Sequence, residues 1–210
     1  MDSCVTAACA IRDGYTPSFL HMNYGQLTEK RELISFNNIS EFYSINKNLI
    51  FDISHLNLIG GSCLTDKSIT TPVANLKSQK IPISYVPFRN ANILSAAVSW
   101  SETINSKAIY IGAVEEDSSG YPDCRRSFFD SFEEVIKHGT KPETRIQIIT
   151  PLINLTKKEI IELGVTLNAP LHLTWSCYQN NDKPCMVCDS CALRKRGFDK
   201  ANIKDPILEY

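Results

Sequence analysis

The sequence predicts an α/β protein: a doubly wound parallel sheet with a small C-terminal zinc-binding tract. Strand-like and helical stretches alternate along the chain, which argues for parallel strands covered by helices on both faces. Polar loops at 23–26, 60–72 and 112–126 all follow strand-like stretches, so they should converge beyond the carboxyl ends of the strands, where such sheets bind ligands. Finally, four of the eight cysteines fall between Cys177 and Cys191.

Taken in order, 1–11 read as a helix with Asp2 or Ser3 as its N-cap, closed by Gly14. Pro17 to Tyr24 form a short strand running into Gly25. Thr28 caps a helix reaching Tyr43, with apolar residues at Leu33, Phe36, Ile39 and Phe42. Residues 48–54 are strand-like, and 55–87 read as a long, partly ordered functional loop. Arg89 to Ser106 form a helix, and Ala108 to Val114 a buried strand by length and β-branching. A polar loop runs from Glu115 to Arg126, and a helix from Ser127 to His138 is stopped by Gly139. Ile146 to Ile149 form a strand, and Thr156-Lys-Lys-Glu159 is a capping box opening another helix.

A chain of 210 residues, 43% hydrophobic, is one globular domain with room for a full core. Within it, 1–170 is expected to be the α/β core that carries the ligand loops. Residues 171–210 form the zinc tract, packed on the same domain. A net charge of −1 leaves no electrostatic footprint for direct nucleic-acid binding. No apolar run is long enough to span a membrane, and no targeting segment is recognisable. With its free cysteines, the chain is expected in the cytoplasm.

Cys177, Cys185, Cys188 and Cys191 are spaced C-x7-C-x2-C-x2-C, which suits tetrahedral zinc because two-residue spacers let a turn present two sulfurs to one ion. No His lies close by, so the expected site is Cys4, with no open position for water and hence a structural role. Two disulfides or a redox C-x-x-C are the alternatives. The first needs an oxidising compartment, and the second normally follows an N-terminal strand. Cys4, Cys9, Cys63 and Cys124 read as scattered, small, buried hydrophobes.

Several runs together resemble the 7-cyano-7-deazaguanine synthase family, pyrophosphate-loop ATPases of queuosine-precursor biosynthesis. They are Asp2-Ser3 before a helix, Asn23-Tyr-Gly-Gln, Leu64-Thr-Asp, Val86-Pro-Phe-Arg-Asn, Ser119-Gly-Tyr-Pro-Asp-Cys-Arg125, Leu155-Thr-Lys and the cysteine tract ending Arg194-x-x-Gly-Phe198. The resemblance covers essentially the whole chain. It implies an adenine nucleotide alpha hydrolase-like fold and an ATP-dependent carbon–nitrogen ligase. The substrates implied are 7-carboxy-7-deazaguanine, ammonia and ATP with Mg2+, and a homodimer is compatible with it. A paralogue joining the activated deazaguanine carboxylate to another amine, and a non-catalytic deazaguanine-binding module, remain alternatives.

On this resemblance Asp2, Ser3, Arg89, Asn90 and Lys157 are candidates for ATP binding. Asp2 and Ser3 would hold phosphates and magnesium, against the plainer reading of a helix cap. Tyr121, Pro122, Asp123 and Arg125 are the candidate substrate residues, with the Asp123 carboxylate suited to the donor edge of the base. No Ser or Cys nucleophile is required, though Cys124 lies within the substrate run. The family's nucleotide loop resembles Ser-Gly-Gly-x-Asp-Ser entered from a hydrophobic strand, and here only Met1-Asp2-Ser3 is present. The expectation is a sequence begun at an internal Met, with that strand and loop upstream. Met186 stands where the family often has Gly, which should alter the turn without changing the ligands.

Overall fold

The computed structural model describes residues 1–78, 80–115 and 120–208. The elements are α1 (Asp2–Arg12), β1 (Phe19–Asn23), α2 (Glu29–Phe42), β2 (Asn48–Asp52), α3 (His55–Ile59) and α4 (Arg89–Ile104). They continue with β3 (Ala108–Tyr110), α5 (Arg126–Gly139), β4 (Gln147–Ile149), α6 (Lys157–Thr166) and α7 (Asp189–Ala201). Single 3-10 turns form at Pro122–Cys124 and Leu171–Leu173.

β1 pairs with β2 in parallel, from Phe19 opposite Asn48 to Asn23 opposite Asp52, with α2 as the crossover. β3 pairs with β4 in parallel, from Ala108 opposite Gln147 to Tyr110 opposite Ile149, with α5 as the crossover. The expected alternation and parallel pairing are therefore present. Among the described residues, however, the strands form two separate two-stranded sheets rather than one ladder. β3 is also shorter than the expected 108–114. Past Ile111, whose N–H still donates to the Ile149 carbonyl, the chain closes on the first turn of α1 at Gly112.

Three apolar clusters hold the elements. Val5 and Cys9 of α1, Ile160 and Ile161 of α6, Leu171 and Phe198 of α7 pack together, all nearly fully buried. Leu94, Phe129, Ile136 and Ile148 join α4, α5 and β4. Met22, Tyr24, Ile53, Leu56, Leu64 and Val86 pack the residues after β1 and β2 against the long loop. Phe129, Phe132 and Ile136 show why α5 forms: three apolar positions at helical spacing face one cluster.

Several local expectations are corrected. The N-cap of α1 is Met1, and Asp2 is already helical. Thr28 is the N-cap of α2, but its hydroxyl donates to Glu32 Oε1 at 2.6 Å instead of capping a backbone N–H. The 55–87 stretch carries the one-turn α3, and Gly139 is the last residue of α5 rather than the stop beyond it. The expected capping box at Thr156–Glu159 is present in full. Cys4, Cys9 and Cys63 are buried and free, and Cys124 is half-buried beside the α4–α5 cluster. Among the described residues no helix is long and apolar enough to cross a membrane.

Candidate active site and metal centre

The cysteine tract folds onto the start of α7. Cys188 is the N-cap of that helix and Cys191 lies in its first turn, so one helix end fixes two sulfurs. Cys185 precedes them across Met186, whose φ of +62° is the left-handed conformation that favours glycine. The four sulfurs all lie within 4.8 Å of one another. Ligands 2.3 Å from a tetrahedral zinc stand roughly 3.8 Å apart, and Cys185 Sγ and Cys191 Sγ are separated by 3.9 Å. Backbone N–H groups of Gln179, Asn180 and Cys185 point at Cys177 Sγ from 3.3–3.4 Å. Hydrogen bonds from the Cys188 and Cys191 thiols, together with these N–H groups, hold the Cys177 thiol well below its ordinary pKa. An all-sulfur set with backbone donors turned on one sulfur fits a closed cation site.

The second feature is a cavity of about 230 Å³ at the carboxyl ends of β1 and β3. Met1, Asp2 and Ser3 at the start of α1 line it together with Gly112. Lys157 enters from the first turn of α6. Tyr24 and Glu32, and Trp175, Ser176, Tyr178, Ser190 and Arg194, complete the lining. Two glycines permit this approach. A Cβ at 112 would lie 2.8 Å from Ser3 N, and one at 197 would lie 2.8 Å from Lys157 Cβ.

Charge in the cavity is organised by one ion pair: Lys157 Nζ donates to Asp2 Oδ2 at 2.5 Å. Burial pushes the Asp2 carboxyl up, but the surrounding positive charge, Lys157 foremost and Arg194 after it, holds the pKa below its usual value. Asp2 Oδ1 is buried without a partner, as is Trp175 Nε1. Helix α1 meanwhile aims the free N–H groups and positive end of its first turn here. A site of this kind accepts anionic oxygens, and its carboxylate accepts a cation riding on them.

Behind Tyr24 and Tyr178 lies Arg89, the first residue of α4. Its guanidinium sits over the rings of Tyr24 and Tyr121 at 5.2 and 5.9 Å and donates to Tyr24 Oη at 3.3 Å. Arg89 Nε is buried and unpartnered. Asn90 sits on Asp123: its N–H donates to Asp123 Oδ2 at 2.9 Å and its side-chain amide to the Asp123 carbonyl at 2.8 Å. Asp123 Oδ1 has no partner, and burial raises the carboxyl's pKa. Tyr121 donates from its hydroxyl to Ser84 and approaches Tyr178 Oη at 3.4 Å. Burial raises the Tyr24 and Tyr178 pKa values, so both stay neutral donors.

Of the residues picked from the sequence, Asp2, Ser3 and Lys157 thus line one cavity. Arg89, Tyr121 and Asp123 form a polar layer adjoining it through Tyr24 and Tyr178. The Asn90 amide is directed into the 121–125 run, Pro122 is half-buried in its 3-10 turn, and Arg125 is exposed at the N-cap of α5. Ser119 lies outside the described residues. Sequence reasoning missed Glu32, Gly112, Tyr178 and Arg194 as cavity residues. Glu32 left one signal, a glutamate in the first turn after a run of polar residues, which a solvated helix face would show as well.

Residues 1–202 match the family described as Queuosine biosynthesis protein QueC. The chain is 57% identical over 210 residues to a 7-cyano-7-deazaguanine synthase of Chloroherpeton thalassium, covering 100% of this chain and 92% of that relative. It is 55% identical over 210 residues to the synthases of Chlorobaculum parvum and Chlorobaculum tepidum, with the same coverage of 100% and 92%.

Proposed function

The chain belongs to the queuosine biosynthesis protein family QueC, and from that premise we propose that it converts 7-carboxy-7-deazaguanine and ammonia to 7-cyano-7-deazaguanine at the expense of ATP. The observation that supports the reading on these residues is the start of α1, ion-paired to Lys157, lining one cavity with a tyrosine-flanked arginine next to it.

The chemistry asks little covalent work of the protein. A carboxylate resists ammonia because its oxide is a poor leaving group. Attack on the α-phosphate of ATP replaces that oxide by AMP and releases pyrophosphate. Ammonia then gives the amide, and a second adenylation on the amide oxygen lets the nitrile form. Each step is accelerated by positioning and charge stabilisation. The free N–H groups of α1, the Ser3 hydroxyl and the Lys157 ammonium suit phosphate oxygens, and Asp2 suits Mg2+. Asp123 Oδ1 and Arg89 Nε, buried and unpartnered, suit a base that offers both a donor edge and acceptors. Asn90 and Pro122 hold that layer in shape, and Arg125 stands outside it.

The cysteine cluster is read as a structural zinc site, since four thiolates leave no place for substrate. A cytoplasmic, small-molecule enzyme fits the ligase reading, and a homodimer is its simplest assembly. The test is direct. The full chain, given ATP, Mg2+, ammonium and 7-carboxy-7-deazaguanine, should release AMP and pyrophosphate and form the nitrile, detected by mass. Nucleotide turnover indifferent to the carboxylate would sink the proposal.

A further inference from the structure

We propose that Glu32 takes the proton from the nitrogen nucleophile, holding ammonium in the cavity and delivering it as ammonia; this rests on the ligase reading above. Two neighbouring residues hold this carboxyl. Thr28 Oγ1 donates to Oε1 at 2.6 Å, forgoing the cap of its own helix. Gln26 Nε2 donates to Oε2 at 3.1 Å, and Gln26 Oε1 is itself fixed by the Tyr24 N–H at 2.9 Å. All of these donors are neutral. Among the described residues Glu32 forms no ion pair, whereas the cavity's other carboxylate, Asp2, is already matched by Lys157.

A carboxylate lining a cavity without a cation of its own, beside the aromatic side chains of Tyr24, Trp175 and Tyr178, has the chemistry that receives a small cation. Ammonium is the small cation this reaction consumes. It has no lone pair until a proton leaves it, and it is the dominant form at neutral pH. Transfer of that proton to Glu32 frees the pair, which forms the C–N bond at the adenylated carbon. The C–O bond then breaks, its electrons leave on AMP, and the nitrogen gives a second proton to the departing phosphate oxygen.

Burial raises the Glu32 pKa, while the bonds from Thr28 and Gln26 lower it. A raised carboxyl is a better proton acceptor near neutrality. The charged groups nearby are Asp2 on α1, Arg89 on α4, Lys157 on α6 and Arg194 on α7. Arg89 favours its ionised form.

The experiment compares Glu32→Gln with the unsubstituted full chain in two assays. ATP–pyrophosphate exchange driven by 7-carboxy-7-deazaguanine needs no ammonia and should stay within about 3-fold. Amide and nitrile formation at about pH 7 should fall by about 100-fold or more, the usual size of a lost general base. Because free ammonia rises with pH, that deficit should shrink at least about 10-fold at about pH 9. Glu32→Asp, which keeps the charge, should restore part of the rate and reads the same ratio if the glutamine variant does not fold. Equal losses in both assays, an unchanged product rate, or a deficit indifferent to pH would overturn the assignment alone. No exchange in the unsubstituted chain would overturn the ligase reading, and this assignment with it.

Discussion

Asn90 and Asp123 are joined twice: the Asn90 N–H donates to Asp123 Oδ2 at 2.9 Å, and the Asn90 amide donates to the Asp123 carbonyl at 2.8 Å. The first residues of α4 and the 121–125 run therefore move as one piece, and the carboxyl's remaining oxygen is left facing the polar layer. Asp123→Asn preserves the size and an acceptor for the Asn90 N–H. It presents an amide where the free oxygen stood. Affinity for 7-carboxy-7-deazaguanine should fall by on the order of 1–3 kcal/mol, with ATP affinity unchanged in calorimetric titration. Equal affinity for the substrate would remove Asp123 from the site.

The same substitution has a pH signature. Burial lifts the folded-state pKa of Asp123 above its ordinary 3.8. The stability linked to this group is therefore fully present below about the ordinary value and is lost as pH rises through the folded value. Asn does not titrate. The melting temperature of the variant should accordingly improve relative to the parent between about pH 4 and pH 7, and a constant difference would contradict the raised pKa.

Metal removal should act on folding. We expect one zinc per chain by elemental analysis, and its extraction by a chelator should unfold 175–201, because binding at a closed thiolate site is largely folding free energy. Cys188→Ser should do the same, since Cys188 is both ligand and N-cap of α7. A Cys188→Ser variant with full metal content and an unchanged melting temperature would refute the site.

Gly112→Ala tests the close approach at the nucleotide end. The new methyl would stand 2.8 Å from Ser3 N and 2.9 Å from Asp2 C, both backbone atoms, so the first turn of α1 must give way. Overpacking of this kind costs about 1–3 kcal/mol. Displacing Asp2 and Ser3 by even part of an ångström should lower pyrophosphate exchange about 10-fold to 100-fold. Retention of full exchange would show that this contact does not position the site.

Arg194 and Asp205 form a buried two-point pair, with Nε to Oδ2 at 2.7 Å and Nη2 to Oδ1 at 2.8 Å. Arg194 also donates to Thr174 Oγ1 at 2.8 Å, tying the segment before the cysteines to α7. Asp205→Ala leaves a buried guanidinium unmatched and should cost about 3–5 kcal/mol in denaturant unfolding. A loss under about 1 kcal/mol would mean that Arg194 relaxes to solvent.

Legibility in the sequence followed the range of the forces involved. Features set by neighbours were readable: the capping box at Thr156, the helix α5, the cysteine spacing, and the strand beginning at Ala108. α7 was not, because Gly197 and a highly charged stretch obscure any stripe. Its stability comes from packing on α6 and from Arg194 bonds that span the fold. The interruption of the ladder between the two strand pairs was likewise invisible, because strand partners are chosen across long separations. In the site, Asp2, Ser3 and Lys157 were found through resemblance, and their meeting is a tertiary fact. Glu32 escaped because its distinction is a hydrogen-bonding arrangement, with Thr28 turned from its own helix, that no residue pattern announces.

The metal knuckle has one further consequence. Trp175, Ser176, Tyr178, Ser190 and Arg194 all belong to the segment that the four sulfurs fold, and all five border the cavity. On the structural-zinc reading proposed above, an ion with no part in the reaction sets how many molecules possess a complete cavity lining. Under metal scarcity the working fraction of the population would decline while each fully loaded molecule kept its ordinary rate. On that reading, zinc supply would act on this protein as a dose, read out in the number of competent molecules.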